Sequence, residues 1–138
     1  MTTASKNALQ EINKLLPQLR RDPGEPLGTQ TDLDAILENK NVIFVVAKDD
    51  GKVIGMCTVY LATKFGKRTG FVEDVVVDEG YRGQKLGQKM MEIAIQEAKQ
   101  AGASQLYLTS GNDRIAAQHL YEKVGFKKRD TQVFRLQF

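Results

Sequence analysis

Val72-Glu73-Asp74-Val75-Val76-Val77-Asp78-Glu79-Gly80-Tyr81-Arg82-Gly83-Gln84-Lys85-Leu86-Gly87 is the stretch that decides the fold. An apolar strand runs through a basic, glycine-bearing turn into a long helix. The first turn of a helix leaves backbone N–H groups without partners, and the helix dipole makes that end positive. A glycine-rich entry lets a pyrophosphate approach those donors closely, so the stretch reads as the seat of a phosphorylated cofactor.

The helix that follows is expected from about Gly83 to Gln100, with Leu86, Met90, Ile93, Ala94, Ala98 and Ala101 on its apolar face and Gly102 as its stop. Upstream, Val42 to Ala47 reads as a strand and Asp50-Gly51 as a hairpin turn. Val53 to Ala62 is the partner strand. A second turn at Lys64 to Arg68 returns the chain as Gly70 to Val77. At the front, Leu9, Ile12, Leu15, Leu16 and Leu19 recur at helical spacing in a helix that should end near Arg20. A proline- and glycine-rich loop follows, and Thr29 or Thr31 caps a short helix reaching Glu38. Downstream come a strand over Leu106 to Thr109, a helix from Asp113 to Lys123 that stops at Gly125, and two terminal strands, Val124 to Lys128 and Thr131 to Phe138. The order predicts an α/β (α+β) fold: a mixed, largely antiparallel sheet flanked by helices.

The 138 residues form one domain over 1–138, with a hydrophobic fraction of 41% and a charged fraction of 27% that are ordinary for a globular protein. A net charge of +3 from 20 basic and 17 acidic residues, interspersed, gives little support for nucleic-acid binding. One cysteine, Cys57, and one histidine, His119, provide no cluster with metal-ligand spacing, so no metal is expected. No segment has membrane-spanning length and the start lacks a signal-peptide pattern, so the expected location is cytoplasmic. A dinucleotide-binding fold is disfavoured, because hairpins precede the glycine turn and no GxGxxG occurs.

Arg82-Gly83-Gln84-Lys85-Leu86-Gly87 and, downstream, Leu120-Tyr121-Glu122-Lys123-Val124-Gly125-Phe126 together resemble the GNAT superfamily of N-acetyltransferases, which transfer acetyl from acetyl-CoA to an amine. The resemblance covers roughly residues 30 to 138. Its pyrophosphate motif is Arg or Gln, two residues, Gly, one residue, then Gly or Ala, and Lys85 stands where the first glycine is usual. The superfamily also opens with a strand before its first helix. That first strand is missing here, since Met1 to Ser5 runs straight into helix.

The resemblance implies acetyl-CoA as cofactor and a small-molecule amine as acceptor, with Arg82, Gly83, Gln84, Lys85, Leu86 and Gly87 at the pyrophosphate and the backbone of Val75, Val76 and Val77 along the pantetheine arm. Asn112 and Arg114 are further candidates for the cofactor. An alkylammonium of pKa about 10.4 is neutral in roughly one part in a thousand near pH 7, so the attack benefits from a base. Glu73 is the candidate base; the alternative is an exposed or ion-paired strand residue. Tyr121 is the candidate acid for the departing thiolate, since a phenol of pKa about 10 matches a thiol of about 8.5; the alternative is a core tyrosine. Strand alternation places Glu73 and Asp74 on opposite faces, with one toward the acceptor. Tyr60, Phe65 and Phe71 are candidates for the acceptor pocket.

With the first strand missing, Val42 to Ala47 becomes a possible exposed edge, covered by Val133 to Phe138 or by a partner subunit in a homodimer. Three activities compete: transfer to a small amine, transfer to a protein or peptide amine, and CoA binding without catalysis in a regulatory module.

Overall fold

The computed structural model describes residues 3–138 except 20, 21 and 23. Two helices lead: α1 (Thr3–Leu15), continued by a 3-10 turn over Leu16–Gln18 that contains Pro17, and α2 (Gln30–Glu38). Three strands follow, β1 (Val42–Asp49), β2 (Lys52–Lys64) and β3 (Lys67–Val77). Then come α3 (Leu86–Gln100), β4 (Gln105–Tyr107) and α4 (Ile115–Lys123). The sheet order is β1-β2-β3-β4, antiparallel except for the parallel β3/β4 pair. The mixed, mostly antiparallel fold expected from the sequence is therefore present.

α2 starts where Thr29 accepts from the Asp32 backbone and Asp32 returns a bond to the Thr29 N–H at 2.8 Å, a capping box worth about 1 kcal/mol. α1 is fixed to the sheet by Glu11, which accepts from the Val53 N–H at 2.8 Å beside an irregularity in the β1/β2 register.

The two faces of the sheet have separate cores. On one face Met56 and Val76 pack under Ile12, Leu15 and Leu33 of α1 and α2. On the other, Cys57, Val59 and Val72 pack under Met90, Met91, Ala94 and Ala98 of α3 and Tyr121 of α4. The apolar stripe of α3 is rotated from the expected one: Met91 is fully buried and Ile93 half exposed. Gly70 is required where β3 meets β4, since a Cβ there would stand 2.4 Å from Leu106 and 2.9 Å from Val59.

Several boundaries differ from expectation. α3 begins at Leu86, three residues after Gly83, because Gly83 (φ 82°) and Lys85 (φ 61°) are both left-handed and break the helical path. The α1 helix proper stops at Leu15, and the expected end at Arg20 lies outside the described residues. β4 is only three residues long. The two terminal strands do not form: residues 126–138 carry no strand, and the β1 edge is not covered by Val133 to Phe138. Strand pattern without a neighbouring edge to complete it leaves no ladder to join. Among the described residues no strand precedes β1.

Candidate active site

β4 pairs with β3 only over Thr69–Phe71, so among the described residues the β3 edge from Val72 to Val77 faces no strand on that side. Into that opening lead the N-termini of α3 and α4. Together they form a groove of about 720 Å³ lined by Val75, Val76, Val77, Arg82, Gly83, Lys85, Leu86, Gly87, Arg114 and Tyr121, among others. The strand, the basic turn and the candidate acid thus share one cavity. Glu73, the candidate base, Gln84 and Asn112 do not line it; Asn112 borders a second groove beside β4.

The groove suits an anion. Neither α3 nor α4 has a side-chain cap at its start, in contrast to α2, so their first-turn donors are left for a ligand. Gly83 and Lys85 alternate left-handed conformations through the turn, the backbone habit that points successive N–H groups into a concavity. A Cβ at Gly83 would meet nothing within 4 Å, leaving the backbone approachable. The glycine usual at position 85 is explained by the same φ, which costs a non-glycine residue about 1 kcal/mol.

The turn is held from behind. Gln18 accepts from the Glu79 N–H at 2.9 Å and donates to Asp78 at 3.4 Å. Tyr81 donates to Asp49 at 2.9 Å, and Arg82 Nε donates to the Val77 carbonyl at 3.2 Å. Gln18, which also lines the groove, escapes sequence reasoning because its partners lie some sixty positions downstream.

β3 carries a bulge at the catalytic candidate. Met56 pairs with Val76 and Thr58 with Glu73, so Cys57 faces two residues, Asp74 and Val75. Asp74 takes φ 53°, a conformation aspartate tolerates better than most side chains. The bulge breaks the expected alternation, and Glu73 and Asp74 both reach solvent. Protein packed about the Glu73 carboxyl group, and secondarily the Asp74 charge, raise its pKa above the ordinary glutamate value. The Glu73 carbonyl accepts from Thr58 Oγ1 at 3.0 Å, fixing the strand beside the carboxylate.

Tyr121 is 7% exposed, set edge-on to Phe126 with ring centroids 6.2 Å apart. Burial raises its pKa, opposed by the positive charge of Arg114 and reinforced by Cys57. Cys57 itself is fully buried, and burial pushes its thiol up to about 12, so it is inert as a nucleophile. His119 is exposed on α4 at the groove wall. Tyr60 and Phe71 are a register pair at the exposed end of the sheet, with Phe71 stacked on Tyr107 at 6.3 Å. Phe65 sits fully exposed at a turn and lines neither groove. Among the described residues there is no group of His, Cys, Asp or Glu able to hold a metal, and no helix long and apolar enough to cross a membrane.

A helix-flanked mixed sheet with two helix starts that lack a side-chain cap beside the free part of β3 makes this an α/β (α+β) protein. The model of the acetyltransferase (GNAT) family matches residues 9–126, and the chain belongs to that family. It is 31% identical over 133 residues to an IAA acetyltransferase from Azospirillum brasilense, covering 94% of this chain and 86% of that protein. It is 30% identical over 86 residues to a glucosamine 6-phosphate N-acetyltransferase from Trypanosoma brucei brucei, covering 60% of this chain and 56% of that protein. It spans 43% of the length of a probable N-acetyltransferase camello from Xenopus tropicalis, a further relative. Among solved structures, a putative acetyltransferase from Agrobacterium tumefaciens superposes with a TM-score of 0.81 at 26% identity, covering 94% of this chain and 93% of that one.

Proposed function

We propose that the chain transfers an acetyl group from acetyl-CoA to the primary amine of a small molecule, by direct attack within a ternary complex. The observation that carries this reading is the shared groove: Arg82, Gly83, Lys85, Leu86 and Gly87 of the basic turn, the edge at Val75 to Val77 that no described strand joins, and Tyr121 line one cavity. Acetyl-CoA supplies the acetyl group as a thioester. The N–H groups of the 82–87 turn and the α3 start hold its pyrophosphate, with Arg82 and Lys85 adding charge. The β3 edge over Val75 to Val77, which no described strand joins, accepts the amide-bearing arm as an added strand would be accepted, and one N–H there serves the developing oxyanion. Arg114, on the same wall, favours negative charge nearby.

Glu73 takes the proton of the acceptor ammonium, and its raised pKa brings it nearer the working pH of a general base. Tyr121 returns a proton to the departing thiolate; its raised pKa keeps the phenol protonated through neutral pH. A small acceptor is supported by the compact exposed patch at Tyr60 and Phe71 beside Glu73, and by the relative named for glucosamine 6-phosphate. The test is thiol release from acetyl-CoA across polyamines, amino acids, amino sugars, aminoglycosides and lysine peptides, alongside calorimetry with CoA. The expected result is CoA binding with amine-dependent release for a small amine. Binding without release for any acceptor favours a regulatory CoA-binding module, and release with peptides alone favours a protein acetyltransferase.

A further inference from the structure

We infer that the acceptor is an amine that also carries an anionic group, a phosphate or a carboxylate, and that Lys64 and Lys67 bind that group while Glu73 receives the amine. The inference rests on the acetyltransferase reading and names the acceptor's class. β3 and β4 part after the row Phe71↔Tyr107, and Glu73 stands just beyond that row. Strand alternation puts Glu73, Phe71 and Lys67 of β3 on one face of the sheet with Thr58, Tyr60 and Lys64 of β2. Tyr60 lies opposite Phe71 in the register, and Lys64 opposite Lys67. α1 and α2 cover this face farther along, over Met56 and Val76. They leave its other end open, where Tyr60 and Phe71 are each 36% exposed.

The open end runs from acid to base. On one side the Asp74 and Glu73 charges both act on the Tyr60 hydroxyl, which gathers two carboxylates and a phenol where the acceptor nitrogen must arrive. In the middle Phe71 stacks on Tyr107 at 6.3 Å and forms a flat apolar floor. On the other side Lys64 folds back over that floor, its Nζ 5.2 Å from the centre of the Phe71 ring. Glu73 and Phe71 are two residues apart, so about 7 Å separates the acid side from the floor. Lys64 does not neutralise Glu73, whose pKa is set by burial and by Asp74 with no opposing lysine. Charges of both signs held apart on one open face are completed by a ligand that carries both.

The lysine end is arranged for an anion. Like charges directly opposite each other on a sheet repel, and an anion between Lys64 and Lys67 removes that repulsion. An exposed cation–π contact is weak, so the Lys64 ammonium can turn from the ring to a phosphate or carboxylate lying above it. A second ammonium on the acceptor would meet both lysines, which disfavours diamines. In the transfer the acceptor nitrogen bonds to the acetyl carbon and the thioester C–S bond breaks. Of the two protons the ammonium gives up, one leaves through Glu73 to solvent and one ends on the CoA sulfur by way of Tyr121. The anionic group takes no part in these steps; it aims the nitrogen at Glu73 and lowers KM.

The test compares kcat/KM for amines of matched length: aminobutyl phosphate, aminohexanoate, diaminopentane and hexylamine. At least one anionic amine should exceed hexylamine by about five-fold or more, through KM, with diaminopentane last. The better of the two anionic amines tells phosphate from carboxylate. Lys64→Glu, at an exposed position near the hairpin turn, should invert the order and place diaminopentane first. Ligand-observed NMR with both anionic amines, with and without CoA, reads the subsite apart from the chemistry. Binding that Lys64→Glu abolishes supports the subsite even where no amine is acetylated, and in that case the acetyltransferase reading is what fails. Diaminopentane or hexylamine leading in the parent overturns the inference and leaves acetyl transfer standing. An order unchanged by Lys64→Glu, binding that the variant retains, or no binding to the parent overturns it as well.

Discussion

The groove at the free part of β3 and the groove beside β4 are built to different degrees. The first is finished within the chain: its turn is clamped by Gln18, Tyr81 and Arg82, and Tyr121 on its wall belongs to the core cluster that holds Met90 and Met91. The second is walled by apolar side chains, but its edge strand has no neighbour and the nearest strand-patterned segment stands in water. The first groove is thus held by intrachain contacts, whereas β4 presents an edge that no described strand joins.

If Glu73, two residues before the groove-lining Val75, is the base, Glu73→Gln should show the largest effect, a drop of about 10²–10⁴-fold in turnover near neutral pH with CoA binding unchanged. Calorimetry beside steady-state rates separates the two. The pH profile sharpens the point. Burial and the Asp74 charge raise the Glu73 pKa, so activity should be lost on acidification at a higher pH than for an ordinary glutamate. Asp74→Asn removes one of the two causes and should move that acid limb downward. On the alkaline side, the raised Tyr121 pKa should delay the loss of its proton.

If the core behind the first groove is as closed as its burial indicates, Met91→Ala should cost about 2–5 kcal/mol in chemical denaturation. Leu136→Ala in the exposed tail should change stability by no more than about 0.5 kcal/mol. Equal losses at both positions would erase the contrast between the two regions. Lys85→Gly should also have a small effect on stability. Relief of the left-handed strain and the added freedom of glycine nearly cancel, leaving under about 1 kcal/mol in stability. CoA affinity should fall several-fold through the lost ammonium, as read by calorimetry.

The legibility of the sequence follows the same division. The start of α2, the hairpins and the Arg82 to Gly87 turn are readable because their signals are local: Thr29 ahead of an apolar run, Asp50-Gly51, and glycines before an apolar helix, whereas the α3 start expected near Gly83 lies at Leu86. Arg82, Lys85, Arg114 and Tyr121 were named from motif positions and meet in one cavity. The β3 bulge was not legible, because aspartate rather than glycine occupies its left-handed position. Gln18 was missed because its partners are remote in sequence. The terminal strands were misplaced for a related reason: alternation at Phe134, Leu136 and Phe138 specifies a strand but not the edge it joins.

The central claim is tested most directly by amine-dependent thiol release from acetyl-CoA, measured for the unaltered chain and for Tyr121→Phe with the best acceptor of the panel. The account predicts turnover by the parent and a loss of about 10²-fold or more in the variant, with CoA affinity within a few-fold. Equal turnover by the two proteins would contradict the role of Tyr121. Failure of the parent to bind CoA would contradict the account itself.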